Sequence, residues 1–252
     1  MKRLFLFLFA ALLITLFSTC SSLYPLNPWD DANVYMTIGN AMLAGKELYA
    51  DIFDHKGPVL FFLHEWAAML SRSSFVGIYI VETVCCYAFL LYSAKTMRIF
   101  SSTSLVLPLT VLLGILTYAS DFMGYGDSVE EFSLPILAHC LYHMLRFVKD
   151  GQSPSARQSV VMGVCLGLLF WTKFNLLFFY LGGFLALLYF AWRHGQVREM
   201  RRLMQDTEKP EMNYFFDVRE SVARIRLENT HLEENELWDL RRSLETISNI
   251  VN

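Results

Sequence analysis

The chain has 252 residues, is 54% hydrophobic and 15% aromatic, and carries a formal net charge of -3. A mean hydropathy of +0.36 is too high for an ordinary soluble domain. The lack of a basic excess argues against nucleic acid as a partner. Apolar residues crowd residues 1–192, whereas 193–252 is rich in both signs of charge. The expected fold class is therefore all-α: a polytopic membrane helix bundle of about six spans plus interfacial helices (1–192), followed by a small soluble helical tail (193–252). The five cysteines, Cys20, Cys85, Cys86, Cys140 and Cys165, lie in or beside apolar runs with no pair at zinc-ligand spacing, and read as small buried hydrophobes.

Lys2 and Arg3 precede an apolar run from Leu4 to Cys20. No small-x-small cleavage site follows, and Phe17 is too bulky for the lipoprotein pattern that Leu16-Phe17-Ser18-Thr19-Cys20 suggests. A retained first helix with a cytoplasmic N-terminus is expected. Next come Trp29-Asp30-Asp31 and a polar stretch that closes at Asp51-Ile52-Phe53-Asp54-His55-Lys56-Gly57-Pro58. Val34, Ile38, Ala41 and Met42 recur near helical period, which predicts an amphipathic helix from Asp30 to Leu43 that stops at Gly45. Asp30 and Asp31 would head that helix, where its dipole stabilises the ionised carboxylate that a general base requires. A plain helix cap is the alternative.

The remaining apolar pieces are 59–70, 75–94, 104–120, 132–148 and 158–192. The piece 59–70 is short for a hydrocarbon core of about 30 Å and holds His64 and Glu65, so a half-depth helix is expected there. Lys95, Arg98, Lys149 and Arg157 then fall inside. Asp30, Asp31, Glu47, Asp51, Asp54, Asp121, Asp127, Glu130 and Glu131 fall outside, as the positive-inside rule prefers. The run 158–192 is too long for one helix and is expected to break at Trp171-Thr172-Lys173. His55, His64, His139 and His143 read as structural or interfacial. His139 and His143 share a helical face, but no glutamate completes a His-Glu-x-x-His motif.

The order of these pieces resembles the lipid-dependent glycosyltransferases of the GT-C fold, above all the dolichyl-phosphate-mannose-protein mannosyltransferase and aminoarabinose transferase group. The resemblance rests on Asp-Asp heading an amphipathic helix, on Tyr49-x-x-Ile52-Phe53-x-x-Lys56-Gly57-Pro58, and on Gly126-Asp127-Ser128-Val129-Glu130-Glu131-Phe132 before a span. It implies a sugar moved from a polyprenyl-phosphate donor to an acceptor on the non-cytoplasmic face of a bacterial inner membrane, with the bilayer and that donor as partners. Asp30 would be the base, and Asp31 stands where the family usually has Glu. Lys56 in Lys-Gly-Pro matches the lysine of the family's Lys-Pro-Pro, and Lys173 a later lysine; both would contact the donor's phosphate. Asp127 resembles the second-loop aspartate, with Glu130 and Glu131 beside it. No cofactor is certain; a divalent metal ion is the one that clustered carboxylates could hold. Lys56 and Lys173 have a plain alternative as interfacial anchors.

From Gly195 onward the composition changes. Thr230-His231-Leu232-Glu233 is a capping box opening a helix whose Leu237, Leu240, Leu244, Ile247 and Val251 are spaced three and four apart. With Tyr214-Phe215-Phe216-Asp217, this tail resembles the N-terminal helical region of MutS-II-type DNA repair ATPases, without a Walker A motif. The expectation is a chimera: a truncated glycosyltransferase half joined to a foreign fragment, with no nucleic-acid partner. A non-catalytic multi-span membrane protein and a membrane-tethered DNA-repair helper are the readings from other classes.

Overall fold

The computed structural model describes residues 2–120, 123, 125–150 and 155–193, and the regular structure among them is helical. The expectations for the tail lie outside the described residues, apart from Arg193. One compact unit ends at Leu187 and a second begins at Leu188. The core clusters and the candidate site belong to the first unit.

Helix α1 (Lys2–Phe17) covers the first apolar run. Helix α2 (Asp30–Leu43) has the bounds that the apolar spacing predicts, with Asp30 and Asp31 in its first turn. It stops at Gly45, whose φ of 88° lies in the left-handed region that favours glycine. Helix α3 (Pro58–Leu70) starts on a proline, whose fixed φ suits a first helical position. Its 13 residues span about 20 Å, too short to cross a bilayer. Helices α4 (Val76–Phe100), α5 (Thr103–Tyr118) and α6 (Val129–Asp150) come next. Helix α7 (Ala156–Thr172) opens on a reciprocal Ser155–Gln158 capping box. It ends at Thr172, and a single 3-10 turn (Phe174–Leu176) leads into α8 (Leu177–Arg193), so the long apolar run breaks at the predicted step.

Helix α4 is the hub, packed against α1, α3, α5 and α6. One buried cluster joins Tyr35, Ile38, Leu60, Phe61, Ile78 and Phe132, from α2, α3, α4 and α6. A second joins Leu13, Ile14, Cys86, Leu90 and Tyr118, and a third joins Cys140, Met144, Leu169 and Tyr180. Side chains facing outward are apolar as well: Leu4, Leu8, Leu12 and Leu16 form a stripe on α1, and Leu105, Leu109, Leu112 and Leu116 one on α5. Inside, by contrast, Glu82, Asp127, Glu131 and His64 have no solvent exposure. An apolar exterior around ionisable groups is the arrangement a bilayer imposes and water penalises.

Among the described residues α4, with 25 residues, is the one helix long and apolar enough to cross a membrane by length and composition. Helices α1, α5, α7 and α8 have 16 or 17 residues, about 24–26 Å each. That falls short of the ~20 residues of a typical span, so length alone does not establish six crossings.

Candidate functional site

The segment after α1, the start of α2 and the loop before α6 meet at one end of the bundle. The Trp29 ring stacks on Tyr125 with centroids 6.3 Å apart. The Thr19 backbone N–H donates to the Tyr125 carbonyl at 3.1 Å. Gly126 and Asp127 both take left-handed backbone angles, φ 70° and 52°. For aspartate that conformation is uncommon and needs local support. Glu82 of α4 supplies it: its Oε1 accepts the Asp127 backbone N–H at 2.6 Å. The Ser18 hydroxyl donates to the same carboxylate, at 2.8 Å from Oε2 and 3.0 Å from Oε1. A Cβ on Gly126 would lie 2.1 Å from the Ser18 hydroxyl oxygen, so the approach requires glycine.

The Asp127 side chain then points at His64. Oδ1 sits 2.9 Å from His64 Nε2, and both side chains are fully buried. His64 Nδ1 lies 2.8 Å from the Leu60 carbonyl, which can only accept, so Nδ1 carries a hydrogen. One proton is therefore shared between Nε2 and the Asp127 carboxyl. Oδ2 of Asp127 has no hydrogen-bond partner among the described residues, and the Glu131 carboxyl lies against that of Glu82. Asp31 accepts from the Tyr35 hydroxyl at 3.1 Å, and its charge is felt at Asp127. The Tyr35 ring stands edge-on to His64, with centroids 5.4 Å apart.

Burial pushes the Asp127 carboxyl above the usual carboxylate range, against the lowering pull of His64 and with the Asp31 charge adding to the rise. Burial works against charge on His64, yet the Asp127 carboxylate and its hydrogen bonds to Asp127 and Leu60 leave the imidazole above its ordinary value. Both groups hold protons more tightly in the folded chain than in the unfolded one. Their stabilisation is complete at low pH and is lost as pH rises through the raised values. The melting temperature is expected to fall as pH rises past the ordinary histidine value of about 6.5, and Asp127→Asn should flatten that slope. A melting temperature that climbs above that pH contradicts this assignment.

A second feature lies beside the first. The loop before α3 folds on itself: the Tyr49 hydroxyl donates to the Lys56 carbonyl at 2.7 Å, and the Lys56 N–H to Asp54 Oδ1 at 2.9 Å. The Gly57 N–H then donates to the Thr172 carbonyl at 3.2 Å, at the end of α7. Between this loop and the α7–α8 turn lies a cleft of ≈ 690 Å³ lined by Lys56, Lys173, His55, Phe53, Trp171 and Asn175, among others. Lys173 forms an ion pair with Glu130 at the start of α6. A Cβ on Gly57 would stand 1.9 Å from the Trp171 carbonyl oxygen. Gly57→Ala is thus expected to force the loop off α7 and open the cleft, read as faster protease cleavage within 46–57 than in the parent chain. An unchanged cleavage rate would show that the loop is not seated there.

The predicted residues thus fall into different settings. Asp31 and Asp127 approach each other around Tyr35 and His64, and Lys56 and Lys173 share one cleft. Asp30 is exposed at the head of α2, and Glu130 is engaged by Lys173. Glu131 is buried away from solvent beside Glu82 and Asp127. Ser18 and Glu82 are site residues that no sequence motif marks, and His64, which reads as structural or interfacial from sequence, is one as well. Glu82 had a signal, since a lone carboxylate in an apolar span marks a site by default. A divalent ion does not fit the described residues, in which no three His, Cys, Asp or Glu side chains converge to hold one.

Compared with known proteins, residues 55–204 match the family model described as dolichyl-phosphate-mannose-protein mannosyltransferase. No curated protein and no solved structure matches.

Proposed function

Because the chain belongs to the dolichyl-phosphate-mannose-protein mannosyltransferase family, a membrane-embedded glycosyltransferase family of the GT-C type, we propose that its cleft takes a polyprenyl-phosphate-linked sugar and that the acidic end serves the acceptor. The observation that carries this reading is that Lys56 and Lys173, from distant parts of the chain, line one cleft. That cleft shares Phe174 and Leu177 with an apolar groove of ≈ 610 Å³ lined by Met144, Met162, Leu166 and Phe184. Two cations beside a lipid-compatible groove suit a phosphate carried on an isoprenoid chain.

In the transfer, the acceptor oxygen bonds to the sugar's anomeric carbon as the carbon–oxygen bond to phosphate breaks. Polyprenyl phosphate leaves with the bonding electrons, and its charge falls to Lys56 and Lys173. Asp30, exposed and at the positive end of α2, takes the acceptor's proton. Asp31, held by Tyr35, places its carboxylate near the base, while His64 and Glu82 fix the Asp127 side chain and backbone behind it. The acidic end faces away from the cytoplasm, with Lys95, Arg98 and Lys149 at the opposite ends of α4 and α6.

Lys56→Gln tests the donor site. Polyprenyl phosphate is expected to bind at least about tenfold more weakly, the loss of a charge-assisted contact of about 1.5–3 kcal/mol, while uncharged polyprenol binds as before. Equal phosphate affinity in the variant and the parent would remove Lys56 from the site.

A further inference from the structure

The bundle has a second charged locus that the transfer reaction does not use. Lys95 lies on α4, 13 residues beyond Glu82 and so about 20 Å along the helix from the acidic end. Four rings close around its side. Tyr92 meets His139 edge-on at 4.6 Å, and His139 meets His143 at 4.6 Å. His143 meets Tyr142 at 5.0 Å, and Tyr142 returns to Tyr92 at 6.1 Å. The Lys95 ammonium stands 4.1 Å from the Tyr92 ring centre and 5.8 Å from that of Tyr142. Arg3 of α1 lies close enough for its charge to act on Lys95, and Arg146 close enough to act on His143.

Arg3 and Lys95, like charges on two helices, repel one another unless an anion joins them. Among the described residues no carboxylate pairs with Lys95, His139 or His143. His139 Nε2 is buried without a hydrogen-bond partner, an orphan polar atom at the same spot. Two tyrosine hydroxyls and two imidazoles add donors suited to phosphate oxygens. Two histidines alone would also suit a metal ion, but the neighbouring Lys95 and Arg3 oppose a cation there.

We propose that Lys95, His139 and His143, ringed by Tyr92 and Tyr142, form a phosphate-binding site at the end of the bundle opposite the acidic groups, suited to an anionic phospholipid headgroup or to free phosphate. A basic pocket between helices at the cytoplasmic side is where such headgroups concentrate. Occupancy ties α1, α4 and α6 together at the end that the Glu82 network does not reach.

The test uses the full chain in zwitterionic detergent, with thermal unfolding and lipid retention in native mass spectrometry read together. Phosphatidylglycerol is expected to raise the melting temperature where phosphatidylcholine does not. Lys95→Gln should weaken phosphatidylglycerol binding about tenfold, while Lys95→Arg keeps the preference. A shift with inorganic phosphate alone that Lys95→Gln also removes assigns the site to free phosphate; no shift with inorganic phosphate assigns it to the lipid headgroup. Equal stabilisation by the two lipids together with no response to inorganic phosphate, or an undiminished phosphatidylglycerol response in Lys95→Gln, overturns the proposal.

Discussion

Asp30→Asn is expected to lower sugar transfer by about 10²- to 10⁴-fold, the range that a positioned base contributes, while donor binding and melting temperature stay near those of the parent. Asp30 is exposed and caps no backbone N–H through its side chain, so its removal opens no cavity and orphans no buried donor. The amide keeps the shape and removes the basicity. Measuring kcat and KM separately is decisive, because a loss confined to kcat marks an interaction made during transfer. If Asp30→Asn transfers sugar at the parent rate, the base lies elsewhere, and the Asp31–Asp127 pair becomes the place to look.

Glu82→Ala should be the most damaging substitution to the fold. Glu82 is fully buried and accepts both the Asp127 N–H and the Ser18 hydroxyl. Deleting its carboxyl strands two buried donors at about 1–3 kcal/mol each, hence about 2–6 kcal/mol before the cavity is counted. The strained Gly126–Asp127 step loses the carboxylate that accepts its backbone N–H, so Asp127 should drift from His64. Glu82→Gln keeps an acceptor for the Asp127 N–H and should retain most of the stability. Circular dichroism melts of the two variants separate the cases. A Glu82→Ala protein as stable as Glu82→Gln would mean that the Asp127 loop stands without it.

Much of the fold is legible because it is local. The apolar spacing of Val34, Ile38, Ala41 and Met42 and the stop at Gly45 locate α2. The Thr172-Lys173 interruption locates the break between α7 and α8. Each of these signals sits within a few residues of its consequence. The site depends on pairings that do not. That Glu82 meets the backbone of Asp127, and that Lys173 meets Glu130, comes from how α4, α6 and α7 pack. His64 looked like an ordinary interfacial histidine for the same reason, since its partner stands on a loop before α6. The left-handed turn at Asp127 had a hint in Gly126-Asp127-Ser128, but its anchor lies in another helix.

The proposed transfer requires the acidic groups and the two lysines to share the non-cytoplasmic rim of a membrane bundle. A chain freed of its native cysteines, carrying one new cysteine in place of Asp30, His55 or Arg98, can be labelled in sealed right-side-out vesicles with a membrane-impermeant thiol reagent. All three positions are exposed on the protein. Labelling at 30 and 55 with protection at 98 is the predicted result; labelling at 98 with protection at 30 or 55 would contradict it.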